Sequence, residues 1–179
     1  MTYFLSDNIL SPLGKTSEEN YKNIKLYKSS LKQYNNIFDY SNSFTASLFS
    51  QEDKNDFFIE GFTSFESMVI YSVEQAINKA NFDIKEENVI FILSSTKGNI
   101  NLLNTKNEDT KAIYLSSSVD KIAKYFHLKN SPIVVCNACT SGASAIILAH
   151  RLLEKEKYDY AVVCGAEEQS KFIFSGFQS

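Results

Sequence analysis

The sequence predicts an α/β fold built on a largely parallel sheet. Apolar, β-branched runs at residues 88–93, 133–136 and 160–164 read as strands. Stretches with helical spacing separate them. Strand and helix alternate along the second half, the order expected when helices cross between parallel strands.

Residues 2–5 (TYFL) form a short apolar start and predict a strand. Thr16-Ser17-Glu18-Glu19 has the form of a capping box and opens a helix expected to run to about Tyr27. Residues 28–51 are polar, aromatic and weakly periodic, which predicts loop with short extended pieces. Thr63-Ser64-Phe65-Glu66 is a second capping box. Phe65, Val69, Val73, Ala76 and Ala80 follow it at helical spacing.

Residues 88–93 (NVIFIL) are continuously apolar, like a strand covered on both faces. Ser117 or Ser118 is expected to cap a helix that carries Val119, Ile122, Ala123 and Phe126 on one face. Strand 133–136, a helix from about Ser141 to Glu154, and strand 160–164 then form a βαβ unit with a right-handed crossover. From Gly165 onward the chain reads as glycine-bearing loop with exposed aromatics, and its stop at Ser179 does not suggest a finished fold.

The bulk properties exclude several classes. The 179 residues suffice for one domain with its own core, and no internal boundary is visible. The net charge of −3 gives no support for nucleic-acid binding. Three cysteines, Cys136, Cys139 and Cys164, argue for reduced thiols rather than a disulfide framework. No basic, apolar leader opens the chain and no run is long enough to span a bilayer, so a cytoplasmic protein is expected.

The chemistry concentrates at Asn137-Ala138-Cys139-Thr140-Ser141-Gly142, where an apolar strand opens directly into a small-residue helix. The helix start presents unpaired N–H groups and the positive end of the dipole. Both favour thiolate over thiol, so Cys139 is expected to be a better nucleophile than an ordinary cysteine. Its neighbours are small enough for an acyl group to approach, and its own N–H is placed to face a developing oxyanion. The Gly-x-Ser-x-Gly elbow of α/β-hydrolases is absent.

The motif Asn-Ala-Cys-Thr-Ser-Gly-Ala-Ser-Ala-Ile (137–146) resembles the active-site cysteine motif of the β-ketoacyl synthases, condensing enzymes of thiolase-like fold. Ser11-Pro12-Leu13-Gly14 with Glu18, Glu19 and Tyr21 resembles the family's opening strand, turn and first helix. Ser94-Ser95-Thr96-Lys97-Gly98 resembles the loop after its central strand. Ala161 to Glu168 resembles its strand ending in Gly-Ala-Glu, and Phe174-Ser175-Gly176-Phe177 the segment after it.

The resemblance implies the N-terminal half of a thiolase-like module over residues 1–179, with helices on both faces of a mostly parallel mixed sheet. It implies acyl transfer to Cys139, then decarboxylative Claisen condensation in fatty-acid or polyketide synthesis. The partners implied are an acyl carrier protein and a second synthase chain, as homodimer or heterodimer, with Ile133, Val134 and Val135 at the interface. The family's two catalytic histidines and supporting lysine belong to a second half and have no counterpart here. Full activity of this chain alone is therefore not expected. The rival is a non-catalytic partner subunit, like a chain-length factor; a thinner one is a cysteine hydrolase using His150. The layer facing a second half should be apolar. No cofactor or metal is implied.

Other candidates have blander readings. Cys136-Asn137-Ala138-Cys139 lacks the second ligand pair a zinc site needs, and Cys136 sits inside the strand, unlike a thioredoxin-type cysteine. Cys164 reads as core. His127 reads as a helix-end residue complementing the dipole. His150 reads as an interior or interface histidine, roughly three turns along the helix from Cys139. Glu167 and Glu168 read as structural or as hydrogen-bonding support for the site. Lys22, Lys25, Lys28, Lys121, Lys124 and Lys129 read as a solvated face before a carrier-protein dock.

Overall fold

Six helices and five strands make up the described residues 1–38, 43–85, 87–104 and 110–178 of the computed structural model. The central element is β3 (Val89–Ser94), all six of whose residues are buried. Its run has no polar face, so it is stable only with strands at both edges and cover on both sides. It has both. β4 (Ile133–Val135) and β5 (Tyr160–Gly165) pair with it in parallel, in the order β4-β3-β5. Ser94 stands opposite both Val135 and Gly165, so the three strands end level at one edge.

Alternate residues of β3 serve two cores, as the two-residue period requires. Val89, Phe91 and Leu93 pack with Phe65, Val69 and Val73 of α3 (Ser64–Ala80) and with Val119 and Ile122 of α4 (Leu115–Tyr125). Ile90 and Ile92 pack on the other face with Ala145 and Ala149 of α5 (Ser141–Glu154). Small residues let α5 lie close across all three strands. The βαβ segment is therefore present, but its two strands flank β3 rather than pair with each other. The middle place falls to the strand that is apolar on both faces.

Both capping signals mark true helix starts. Thr63 accepts from Glu66 N, and the Glu66 carboxylate accepts from Thr63 N, a complete box at the start of α3. Thr16 accepts from Glu19 N at the start of α1 (Ser17–Lys25), but the Glu19 carboxylate takes the N–H of Lys15 instead. Gly14 is required just before it, because a Cβ there would lie 2.8 Å from Glu19 Cβ. Buried Asn20 ties this turn together, donating to the carbonyls of Ile9, Gly14 and Thr16.

The expected extended pieces in residues 28–51 form an antiparallel pair, β1 (Lys32–Tyr34) and β2 (Phe44–Ala46). Residues 39–42 of that expectation lie outside the described residues. A six-residue helix, α2 (Gln51–Asp56), follows with its own complete capping box from Ser50.

Three expectations need correction. Residues 2–5 form no strand; the segment is held beyond them by Ser6 Oγ donating to Ala76 O and Asn8 Nδ2 to Ser72 Oγ. Tyr3, Phe4 and Leu5 stay exposed, since nothing among the described residues pairs with their backbone. α4 is capped by neither serine: it starts at Leu115 after Tyr114, out of a short 3-10 turn (Thr110–Ile113). Ser118 is instead buried and accepts from Asn99 Nδ2.

The third correction concerns residues 171–178, which form not loop but a helix, α6 (Lys171–Gln178); residues 166–170 before it are loop, as expected. Phe174 is buried against Phe38 and Phe44 beside the β1–β2 pair, with ring centroids 5.3 and 4.6 Å apart. That tertiary contact offsets the roughly 1 kcal/mol cost of Gly176 inside the helix.

Candidate active site

Cys139 lies in a 3-10 turn, Ala138–Thr140, which joins the end of β4 to the first residue of α5. It is exposed. The strand ends beside Ser94, level with Gly165 on the far side of β3, so the turn rises from the carboxyl edge of the sheet, where parallel α/β proteins place their sites. Ala138 just before it has φ +45°, a left-handed value that an L-residue adopts only under constraint.

That constraint is visible. Thr140 N and Thr140 Oγ1 both donate to Asn137 O, at 3.0 and 2.8 Å. Ser141 Oγ accepts from Asn137 N and donates to Ala138 O, both at 2.7 Å. Asn137 Nδ2 donates to Ser144 Oγ at 3.3 Å. Thr140 and Ser141 thus fold the backbone back on itself and leave the Cys139 side chain on the outside. Asn137, Thr140 and Ser141 are the sequence features that produce the bend.

A Cβ added at Gly142 or Gly165 would meet nothing within 4 Å. Smallness at Gly142 and Gly165 is therefore not demanded by packing within this chain. It leaves open space at the sheet edge, which suits an approaching acyl group.

The other loops at this edge are fastened to one another. Ser95 N donates to Val135 O at 3.3 Å, and Ala166 N to Ser94 O at 3.0 Å. Glu167 Oε1 accepts from Thr96 N at 2.5 Å and from Thr96 Oγ1 at 2.7 Å. Lys97 Nζ donates to the same Thr96 hydroxyl at 2.7 Å. Glu167 is exposed rather than near the core, and its role as hydrogen-bonding support is the part of the expectation that the geometry matches.

A family model for the β-ketoacyl synthase N-terminal domain matches residues 12–179. The chain belongs to the β-ketoacyl synthase family. No curated protein sequence matches it. Among solved structures it is similar to the ishigamide ketosynthase/chain length factor, at TM-score 0.76 and 14% identity over 97% of this chain and 49% of that one. A β-ketoacyl synthase from Burkholderia phymatum gives TM-score 0.75 and 18% identity over 97% and 48%. A type II polyketide synthase ketosynthase, in complex with its acyl-carrier protein and bound to the hexaketide, gives 0.65 and 17% over 97% and 47%. The chain spans about half the length of these ketosynthases. The fold is that of the thiolase-like N-terminal half.

Within the ketosynthase frame the remaining candidates separate. Cys164 is buried at the end of β5, as expected, and burial pushes its thiol up to about 12. Cys136 is exposed and follows the last residue of β4, so it stands outside the strand assigned to it from sequence. His150 corrects the interior reading: it is exposed, with Nδ1 3.1 Å from Thr2 Oγ1 and Nε2 3.3 Å from Glu154 Oε2. It lies eleven residues beyond Cys139, about 16 Å along a helix axis, too far to act on it. His127 ends α4 with φ +53°, exposed.

The lysines do not gather at Cys139. Lys121 is paired with Glu66 at 3.0 Å. Lys124 and Lys129 line an open hollow of about 600 Å³ with Asp120, His127 and Pro132. Pro132 precedes β4 whereas Cys139 follows it, so this hollow sits at the opposite edge of the sheet from the thiol. Sequence reasoning missed Thr96 as Glu167's partner. The two are 71 positions apart and nothing in the local pattern links them.

Proposed function

We propose that this chain carries the acyl-accepting half of a 3-oxoacyl-carrier-protein synthase-type condensing enzyme, with Cys139 as nucleophile. The observation that carries this is the exposed Cys139 thiol on a hydrogen-bonded turn at the carboxyl edge of a parallel sheet, inside a segment that belongs to the ketosynthase family. The reaction is a thioester exchange. Cys139 Sγ attacks the acyl carbon, the bond from acyl carbon to the donor sulfur breaks, and the donor leaves as a thiol. The N–H groups at the start of the turn are the local candidates for holding the developing oxyanion.

The natural donor on this reading is an acyl carrier protein, since a similar ketosynthase is solved with its own. Decarboxylation of a malonyl-type thioester and attack of its enolate on acyl-Cys139 require further donors aimed at the enolate oxygen. His127 and His150 are not placed to supply them. A second synthase half or chain is the proposed source, and a homodimer or heterodimer the proposed assembly.

The likeness to a ketosynthase/chain length factor supports a second reading, a non-catalytic partner subunit. The two separate on one measurement. The 179-residue chain is incubated with a short acyl thioester and digested for peptide mass analysis. The condensing reading expects the acyl mass on the Cys139 peptide, and none in Cys139→Ala. An unmodified Cys139, or equal acylation of Cys136, supports the partner reading. Decarboxylation of labelled malonyl thioester by this chain alone is expected to be undetectable.

A further inference from the structure

We propose that Glu167 is a positioning residue for the Cys139 thiol, acting through the loop that follows β3. This rests on the reading of Cys139 as nucleophile, and it concerns how the turn is held. Three loops leave the sheet at one edge. The loop after β3 is bonded to β4 by Ser95 N to Val135 O, at 3.3 Å, four residues before Cys139. Its next residue, Thr96, gives both its N–H and its hydroxyl to Glu167 Oε1, at 2.5 and 2.7 Å.

A carboxylate that takes two donors from one residue fixes that residue's position and its rotamer together. The load then passes along covalent and hydrogen bonds: Glu167 to Thr96, Thr96 to Ser95, Ser95 to the last residue of β4. β4 has only three residues in the ladder, so the Ser95–Val135 bond is a large part of what ties its end to the sheet, while the bonds of Asn137, Thr140 and Ser141 shape the turn beyond it. Gly165, two residues before Glu167, carries no side chain to brace the edge. The Lys97 ammonium, 2.7 Å from the Thr96 hydroxyl, leaves that hydroxyl's own proton for Glu167.

The oxygen geometry separates charge from position. Glu167→Gln keeps an oxygen able to accept both Thr96 donors. Glu167→Ala removes it. The rate of Cys139 carboxamidomethylation by iodoacetamide, followed on its peptide by mass spectrometry, reads the thiol's placement without any need for a thioester substrate. Iodoacetamide modification of Cys139 should slow at least fivefold in Glu167→Ala and stay within twofold of the parent in Glu167→Gln. Thermal midpoints are recorded beside each rate, and Cys136, on its own peptide, is the internal reference.

An unchanged Cys139 rate in Glu167→Ala overturns the proposal. So does a slowing that Gln does not rescue, or one that Cys136 shares equally. If Glu167→Ala does not fold, Thr96→Val, which keeps the N–H and loses the hydroxyl, is expected to slow Cys139 two- to threefold, and no slowing there overturns it. If Cys139 alkylates as expected but accepts no acyl group from a thioester, the condensing reading fails while the positioning role stands.

Discussion

Ala138 and Cys139 show how a single bend leaves a side chain exposed at the sheet edge. A left-handed alanine costs about 1–2 kcal/mol relative to an ordinary conformation, and its φ of +45° is held by the bonds of Asn137, Thr140 and Ser141. Ala138→Gly relieves that cost but adds unfolded-state freedom, so it is expected to raise stability by no more than about 1 kcal/mol. Ala138→Val adds a β-branch at the same φ and is expected to lower it by about 2 kcal/mol. Urea unfolding midpoints check both. Cys164 offers the contrasting thiol. Its folded pKa, pushed to about 12 by burial, exceeds the ordinary value of 9.0. Between those values the unfolded chain loses this proton while the folded chain keeps it, so the contribution is full below pH 9 and is lost as pH rises toward 12. The slope expected from this one group is about −1.4 kcal/mol per pH unit. Cys164→Ala should flatten that part of an alkaline stability profile, at the price of a lower plateau. At pH 8, iodoacetamide should label Cys136 and Cys139 and spare Cys164.

At the scale of elements, two junctions fix what the sheet edge rests on. The start of α3 is joined to α4 by a buried carboxylate. Glu66, 2% exposed, accepts from Thr63 N, Asn99 Nδ2 and Lys121 Nζ, and Lys121 also reaches Gly61 O and the Phe62 ring. Glu66→Ala removes the cap on Thr63 N but leaves Lys121, 43% exposed, to water and Gly61 O, so a loss of about 1–2 kcal/mol is expected. Lys121→Met leaves the buried Glu66 carboxylate without its cation and should cost more, about 2–4 kcal/mol. Denaturant titration ranks the pair, and a larger loss for Glu66→Ala refutes the account. The other junction is α6 on the aromatic cluster. Phe174→Ala is expected to cost about 3 kcal/mol and to release α6, read as faster amide exchange in residues 171–178 with β3 unchanged. Reading those residues as loop from sequence failed for an instructive reason. Eight residues containing a glycine have weak intrinsic helicity, and the contact that decides the matter comes from Phe38 and Phe44, some 130 positions away.

The whole molecule buries one side of its sheet more completely than the other. α3 and α4 share a large core with β3, whereas α5 seals its face with Ala145 and Ala149 as its only buried apolar residues. Ile146 and Ile147 on α5 remain 63% and 51% exposed. They contribute little to this chain's own core. The double substitution Ile146→Lys, Ile147→Lys is therefore expected to change stability by less than about 0.5 kcal/mol, read from urea unfolding midpoints. A stability loss of several kcal/mol would show that these isoleucines are core after all. Among the described residues no helix is long and apolar enough to cross a membrane.

Local chemistry was enough to place the starts of α1 and α3, the buried β3, the bounds of α5 and the cysteine-bearing turn between strand and helix, because each is written in residues within a few positions of one another. Strand order, the helical state of residues 171–178, the exposure of His150 and the Thr96–Glu167 bond were decided only by the folded chain. Each depends on which distant segments come to share a surface, and a surface shared across 70 or more positions leaves no periodicity to read along the chain.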